Sequence, residues 1–196
     1  MNDWKFSRYS MYTSIQSVVN KLTDINNVTF IGEDGTSGLL SMFTGNVNIT
    51  TTNYPAVNIM DLPYSDNSKQ CLVIDQVLEH VRDPWKSVSE VYRVLTPGGI
   101  MILTTCLMNP VHYASQEDEQ NGTVNDFWRF TPHGLEVLCD EFSSIIQCAG
   151  GGDFKFIYNC MTGMRHKTVH PGSHLESLAM ADDGKHYLHV WVVARK

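Results

Sequence analysis

The chain has 196 residues, of which 42% are hydrophobic and 18% are charged, so it can bury a sizeable core, and we expect one domain over residues 1–196. Its formal net charge of −7 gives no basic field for nucleic acid or an anionic membrane, and no apolar run is long enough to span a bilayer. Five cysteines, an odd number without CxxC spacing, indicate reduced thiols in the cytoplasm. The composition fits a cytoplasmic enzyme better than a nucleic-acid-binding or membrane protein.

The first part of the chain predicts a helix, a strand and a glycine-rich turn. Residues 9–22 have apolar side chains at helical spacing, so we expect residues 1–25 to form a docking helix over the sheet edge. Residues 28–31 predict a short buried strand that ends at Gly32. In residues 32–38, glycines would let a cofactor approach the backbone closely, although such a turn also serves plain chain reversal.

Two more short strands are predicted before the centre of the chain. Residues 47–51 form the first, and Asn53 follows it near the position, about 20 residues after a glycine turn, where dinucleotide sites place an acidic residue on the ribose. Asn53 can accept a hydrogen bond through its amide oxygen but has no charge. Residues 57–60 form the second strand, and Asp61 follows it directly.

Residues 71–105 give the clearest pattern, which predicts a strand, a crossover helix and a second strand. Residues 71–74 and 100–103 are continuous apolar runs, as strands covered on both faces require. Pro84 suits the first turn of the helix between them, and the Pro-Gly-Gly of residues 97–99 ends it. Ligands of open α/β sheets bind at the carboxyl ends of strands. The polar residues expected there are Asp75, Gln76, Glu79 and His80.

Residues 106–130 are predicted to form a loop on the substrate side of the sheet. The loop contains His112 and, near its end, Asp126. Thr131 is a good N-cap for the helix that follows, because its hydroxyl can accept a backbone hydrogen bond. The aromatic side chains just before Thr131 either anchor that helix or form a wall of a substrate pocket.

The last part of the chain is expected to complete the sheet. Residues 154–158 and 187–194 are apolar and predict an antiparallel strand pair, whereas residues 149–152 predict a flexible turn. The connection over residues 159–186 is long, so we expect it to be a functional or mobile loop on the substrate side.

Three histidines in this connection are spaced by four residues, which would place them together on a helix. Pro171 and Gly172 interrupt the spacing and prevent such a helix. We therefore expect surface histidines and no metal site. The residues are His166, His170 and His174.

The chain resembles the class I, Rossmann-like methyltransferases that use S-adenosylmethionine, in a small, type-11-like form. The resemblance covers roughly residues 28–142. Its most specific parts are VIDQVLEHV at residues 73–81, the Asp83-Pro84 pair and RVLTPGG at residues 93–99. It implies a three-layer α/β sandwich with a mostly parallel seven-stranded sheet and an antiparallel last strand.

The resemblance also implies where S-adenosylmethionine would bind. The glycine turn would approach its methionine and ribose portion, and Asn53 would take the ribose-facing place. Asp61 would accept a hydrogen bond from the exocyclic amine of adenine. Asp75 would border the sulfonium. The implied cofactor-binding residues are Gly32, Glu33, Gly35, Gly38, Asn53, Asp61, Leu62, Asp75 and Gln76.

The leading hypothesis is methyl transfer to an oxygen or nitrogen of a small molecule or glycan. A hydroxyl or protonated amine needs a general base, for which His112, His80 and Asp126 are the candidates. His80 has an alternative role in orientation or packing.

A second hypothesis is a degenerate, non-catalytic methyltransferase fold that acts as a binding or partner subunit. Phe30 and Asn53 stand where the family usually has acidic residues, and each missing charge-assisted bond removes roughly 1.5–3 kcal/mol of binding. A nicotinamide-dependent oxidoreductase is disfavoured, because the motif over residues 75–99 has no role there. Both a homo-oligomer and a complex with a partner subunit stay open.

Overall fold

The computed structural model describes residues 4–23, 25–32, 38–113, 116–122 and 125–196. These residues form one six-stranded sheet. The strands are β1 (Asn27–Gly32), β2 (Asn48–Thr52), β3 (Lys69–Asp75), β4 (Leu95–Cys106), β5 (Ser144–Gly151) and β6 (His189–Arg195). Their order is β2-β1-β3-β4-β6-β5; β6 runs antiparallel to both neighbours, and the other pairs are parallel. The predicted α/β class and the antiparallel last strand are confirmed.

Helices cover both faces of this sheet. They are α1 (Tyr9–Val19), α2 (Pro84–Val94), α3 (Gln116–Asn121), α4 (Pro132–Leu138), α5 (Phe154–Asn159) and α6 (His174–Ala179). Helices α2 and α4 begin as predicted, because Asp83 and Thr131 accept backbone N–H bonds and a proline follows each of them. Shorter turns lie at Phe6–Arg8, Leu40–Met42, Leu78–His80 and Cys160–Met164.

Each face of the sheet packs into its own hydrophobic core. Alternate residues of a strand point to opposite faces, so Phe30 packs on the α1 side and Ile31 on the α2 side. The first core includes α1 and the side chain of Trp191, and the second includes α2, α4 and the side chain of Leu72. This arrangement is the expected three-layer sandwich.

The described residues contain six strands, whereas we predicted seven. Residues 57–60 form turns with one isolated bridge between Asn58 and Asp61. Residues 154–158 are helical, because Asp153 accepts the backbone N–H of Phe156 and caps α5. Both strand predictions rested on short apolar runs, which do not distinguish a strand from a helix or turn.

The glycines near residue 150 are part of a strand and not of a flexible turn. Gly150 and Gly151 belong to β5 and pair with β6. A Cβ on Gly150 would collide with the ring of Tyr187, and one on Gly151 would lie 3.2 Å from the ring of Trp191. Glycine is thus used here for close approach of aromatic rings to the sheet.

Candidate functional site

The carboxyl ends of the parallel strands meet at one edge of the sheet. In the register of the strands, Gly32 lies beside Asp75, and Asp75 lies beside Thr104. Strand β6 runs the other way, so its first residue, His189, lies at the same edge opposite Cys106. Polar residues from distant parts of the chain are therefore brought together where open α/β sheets bind ligands.

Asp75 is held at this edge by two hydroxyl groups. The Tyr12 hydroxyl donates to Oδ2 over 2.8 Å, and the Thr104 hydroxyl donates to Oδ1 over 2.5 Å. Gln76 follows with φ of 57°, and its side-chain amide donates to the Thr104 hydroxyl oxygen over 3.0 Å. Asp75, which is 7% exposed, thus links helix α1 to strand β4 at the expected cofactor edge.

Gly32 and Gly38 are tightly packed against aromatic rings. A Cβ on Gly32 would lie 2.6 Å from the ring of Phe30. A Cβ on Gly38 would lie 2.7 Å from Trp4 and 2.8 Å from Tyr12. The absence of a side chain at Gly38 therefore lets the N-terminal segment pack closely. The other two residues expected in the turn, Glu33 and Gly35, lie outside the described residues.

The residues expected to contact adenine and ribose lie between β2 and β3 in the chain. Asn53 and Asp61 are exposed, whereas Leu62 is buried. The backbone N–H of Leu62 donates to Oε2 of Glu90 over 2.8 Å. Hydrogen bonds from Arg93 hold the pKa of Glu90 below its usual value. The N–H of Leu62 is thus engaged within the protein.

Glu79 is a fully buried carboxylate just after β3. Its Oε2 accepts a hydrogen bond from the Thr105 hydroxyl over 2.7 Å. Its Oε1 has no hydrogen-bond partner in the part of the chain that the structure describes. Among the described residues, it is the only buried side-chain nitrogen or oxygen atom without one. Burial raises the pKa of Glu79, although the Thr105 bond and the charge of Arg8 act against this rise. An unpartnered buried carboxylate oxygen needs an explanation.

Two histidine rings lie beside each other near this carboxylate. The ring centroids of His80 and His112 are 4.8 Å apart and the rings meet edge to face. Nδ1 of His80 is 2.5 Å from the carbonyl oxygen of Asn125. Nδ1 of His112 is 3.1 Å from Oδ2 of Asp126 and 3.1 Å from the carbonyl oxygen of Pro110. The carbonyl oxygen of Asn125 accepts from His80, so Nδ1 of His80 carries the proton and its Nε2 keeps a lone pair. The side-chain amide nitrogen of Asn109 lies 3.3 Å from Nδ1 of His112, but the two oxygen acceptors are nearer and favour the same tautomer there.

Asp126 fixes the loop that carries His112. Its buried carboxylate binds Arg129 over 2.5 Å and 2.7 Å and accepts the backbone N–H of His112 over 2.9 Å. Burial would raise the pKa of Asp126, but the hydrogen bonds from Arg129 and His112 hold it below its usual value. Arg129 also donates to the carbonyl oxygens of Asn109 and Pro110, so the loop is tied down at several points.

His189 lies at the same edge of the sheet with Arg8 beside it, and this basic pair was not predicted from the sequence. Nη1 of Arg8 is 3.2 Å from the ring nitrogens of His189, which is buried. Burial, together with the charges of Arg8 and Arg165, lowers the pKa of His189 well below its usual value. Arg165 donates to the side-chain oxygen of Asn109. The one sequence signal for this buried basic pair was a histidine inside the apolar run of residues 187–194.

The fold of this chain is similar to that of solved S-adenosylmethionine-dependent methyltransferases. Residues 18–103 match the family described as "Methyltransferase domain". A "Probable S-adenosylmethionine-dependent methyltransferase" of Mycolicibacterium smegmatis is 32% identical over 102 residues, which cover 50% of this chain and 36% of that relative. The predicted resemblance to S-adenosylmethionine-dependent methyltransferases is thereby confirmed, while the matched part spans only about a third of that relative's length.

Solved structures with the same fold include proteins with different named activities. The [4+2]-cyclase SpnF aligns with a TM-score of 0.56 and 18% identity over 93% of this chain and 80% of its own. A protein in complex with the Haloferax volcanii Trm112 methyltransferase activator aligns with a TM-score of 0.53 and 13% identity, over 96% of this chain and 90% of its own. At this identity the likeness shows the fold alone. Within the described residues, no helix is both long and apolar enough to cross a membrane.

Proposed function

We propose that the protein transfers the methyl group of S-adenosylmethionine to an oxygen or nitrogen of a small molecule or glycan. The observation that carries this proposal is the pairing of His112 with Asp126 beside the strand edge where the cofactor is expected. A histidine held by a carboxylate through Nδ1 keeps Nε2 available as a base. The methyltransferase relatives support the choice of cofactor.

The reaction needs little covalent chemistry from the protein. S-adenosylmethionine supplies the reactive methyl group, so the site has to align the acceptor with the sulfonium and exclude water. When bound, S-adenosylmethionine would give its methyl carbon to the acceptor lone pair as the carbon–sulfur bond breaks, which leaves a neutral thioether. The proton of the acceptor passes to Nε2 of His112. Asp126 stabilises the imidazolium that results, and His80 orients the His112 ring by its edge-to-face contact.

The cofactor would lie along the ends of β1, β2 and β3. Gly32 and Asp75 pair in the register of the sheet at this edge, and Gln76 directly follows Asp75. Asn53 and Asp61 are exposed and so accessible to the ribose and adenine portions. The two substrate-side loops meet at the hydrogen bond between Arg165 and Asn109, which supports an acceptor pocket formed from both.

A titration with S-adenosylhomocysteine tests the cofactor part of this proposal. We expect saturable binding by isothermal titration calorimetry, weakened in Asp61→Ala and unchanged in Asp140→Ala, whose exposed side chain lies in another part of the chain. No detectable heat at millimolar ligand would refute the enzyme proposal. Transfer of a labelled methyl group from S-adenosylmethionine to pools of alcohols and amines then tests the class of acceptor.

A non-catalytic partner subunit is the second candidate. Asp75 and the backbone N–H of Leu62, which were expected to bind the cofactor, already have hydrogen-bond partners within the chain. This internal bonding favours a protein that does not bind the cofactor. A structural neighbour is in a complex with the Trm112 activator, which supports this candidate. Light scattering of the purified protein separates a homo-oligomer from a monomer, and absence of cofactor binding would favour this candidate.

We also propose one domain over residues 1–196 in a reducing, cytoplasmic setting. The single sheet contains strands from both halves of the chain. All five cysteines are free, and burial raises the pKa of Cys71 to about 12, so this thiol is unreactive. Limited proteolysis that yields one resistant fragment would support the single domain, and two separable fragments would refute it.

A further inference from the structure

Glu79, His80 and His112 offer ligand atoms that all lie within 4.8 Å of one another. We propose that these residues bind a divalent first-row transition-metal ion of the Zn²⁺ type through two imidazoles and one carboxylate. This set of nitrogen and oxygen donors suits Zn²⁺, Fe²⁺ or Co²⁺ better than Mg²⁺ or Ca²⁺. The inference goes beyond methyl transfer, because binding of the ion requires neither the cofactor nor the acceptor.

The carboxylate of Glu79 is the first observation that points to an ion. It is 0% exposed, and its Oε2 accepts the hydroxyl of Thr105 while its Oε1 has no partner among the described residues. A buried carboxylate oxygen left without a partner is costly, and most are bonded to a donor or coordinate a metal. A cation bound at Oε1 would remove this cost.

The two histidines are already oriented as metal ligands. His80 directs Nδ1 at a backbone carbonyl oxygen, and His112 directs Nδ1 at the carboxylate of Asp126. Metal-binding histidines usually donate the second ring nitrogen to such acceptors, which fixes the tautomer and the ring orientation. Both Nε2 atoms lack a hydrogen-bond partner in the described parts of the chain. Asp126 and Asn125 are thus the outer partners that such a site requires.

The distances between the three ligand atoms fit a site that contracts when the ion binds. Bonds of about 2.0–2.1 Å in a tetrahedral site place ligand atoms roughly 3.3 Å apart, so the widest separation must shrink by about 1.5 Å. The His112 side chain is 35% exposed, so its ring has room to rotate although the backbone of the loop is tied down. Three protein ligands leave a fourth position open.

Binding of the ion would change the role of His112. In the metal-free protein, Nε2 of His112 is available as a base; in the metal-loaded protein, the same nitrogen is a ligand. An acceptor hydroxyl bound at the open position would then lose its proton more readily, because a divalent ion stabilises the alkoxide. This second step rests on the proposed methyl transfer, whereas binding of the ion does not.

Cobalt spectroscopy of the 196-residue chain tests the site directly. Chelator-treated protein is titrated with Co²⁺, and the visible ligand-field absorption is followed. We expect one equivalent to bind, and affinity to fall at least tenfold in Glu79→Gln and His112→Ala and about 10–100-fold in Asp126→Asn. His174→Ala, which removes an exposed histidine, should bind like the wild type. Circular dichroism of each variant confirms that it is folded.

Two outcomes would overturn the proposal. One is the absence of a saturable absorption change in the wild type. The other is equal affinity in the wild type and a folded Glu79→Gln, since surface histidines would then account for the binding. Zn²⁺ should also raise the unfolding temperature of the wild type but not of Glu79→Gln. None of these readouts depends on turnover, so failure of the metal site and failure of methyl transfer are distinguishable.

Discussion

The hydroxyl of Tyr12 donates a hydrogen bond to Oδ2 of Asp75 over 2.8 Å and so joins helix α1 to the end of strand β3. Both residues are buried. Tyr12→Phe removes this donor from a buried carboxylate, so we expect the free energy of unfolding to fall by about 1.5–3 kcal/mol. Urea unfolding measures this loss. Tyr158→Phe, at a residue that is 60% exposed, is the control, and an equal effect of both variants would contradict the prediction.

His112→Ala should reduce turnover of the metal-free protein by 10²–10⁴-fold, roughly the contribution of a general base. The affinity for S-adenosylhomocysteine should hardly change, because the ring lies on the acceptor side in our proposal. Turnover and calorimetric affinity are measured on the same preparations, with His174→Ala as the control. Unchanged turnover would remove His112 from the mechanism.

The stability of the protein should depend on pH through His189. Its folded pKa is lowered by burial and by the charges of Arg8 and Arg165, whereas the unfolded value is about 6.5. The unfolded chain therefore binds the extra proton first, so the stabilisation is complete above about pH 6.5 and is lost as pH falls below that value. The free energy of unfolding should drop between pH 7 and pH 5.

His189→Gln keeps an acceptor for Arg8 but cannot titrate, so it should show a shallower drop. Glu79 acts in the opposite sense, because burial raises its folded pKa and its contribution declines as pH rises. Since Glu79 is present in both proteins, the difference between their urea unfolding curves at pH 7, 6 and 5 isolates His189. Equal slopes would contradict the assignment.

Gly38→Ala should destabilise the N-terminal segment. The new Cβ would lie 2.7 Å from Trp4 and 2.8 Å from Tyr12, and overpacking of this kind costs about 1–3 kcal/mol. Gly134→Ala is the matched control, because its Cβ would meet only the Thr131 hydroxyl at 3.4 Å and alanine favours the helix. We expect a lower unfolding temperature in the first variant and an equal or higher one in the second. The reverse order would show that the rings move apart freely.

The central part of the fold could be predicted because several local signals agree there. Residues 71–105 combine two continuous apolar runs with Pro84 and the Pro-Gly-Gly turn, and the structure has β3, α2 and β4 in these places. Residues 154–158 gave only a short apolar run. The side chain of Asp153 caps a helix at these residues, so the strand prediction was wrong.

The candidate site could be predicted only in part. His80 and His112 were identified as candidate bases, but nothing local indicated that their rings would lie edge to face. That contact depends on how Asp126 and Arg129 fold the loop back over the strand edge. Tyr12 was missed as a partner of Asp75 for a similar reason, since such contacts arise from packing between elements and leave no motif.

The position of β6 between β4 and β5 has a consequence for folding kinetics. Strands β1 to β4 and helix α2 can assemble from segments close in sequence, but β6 must join from a distance before the sheet is continuous. Arg8 and His189, which meet at the polar edge, are 181 residues apart in sequence. Contacts between residues so far apart in sequence form late, because closing the long loop costs conformational entropy before the contact can stabilise the fold. A refolding chain should therefore gain most of its parallel sheet before it gains a competent site.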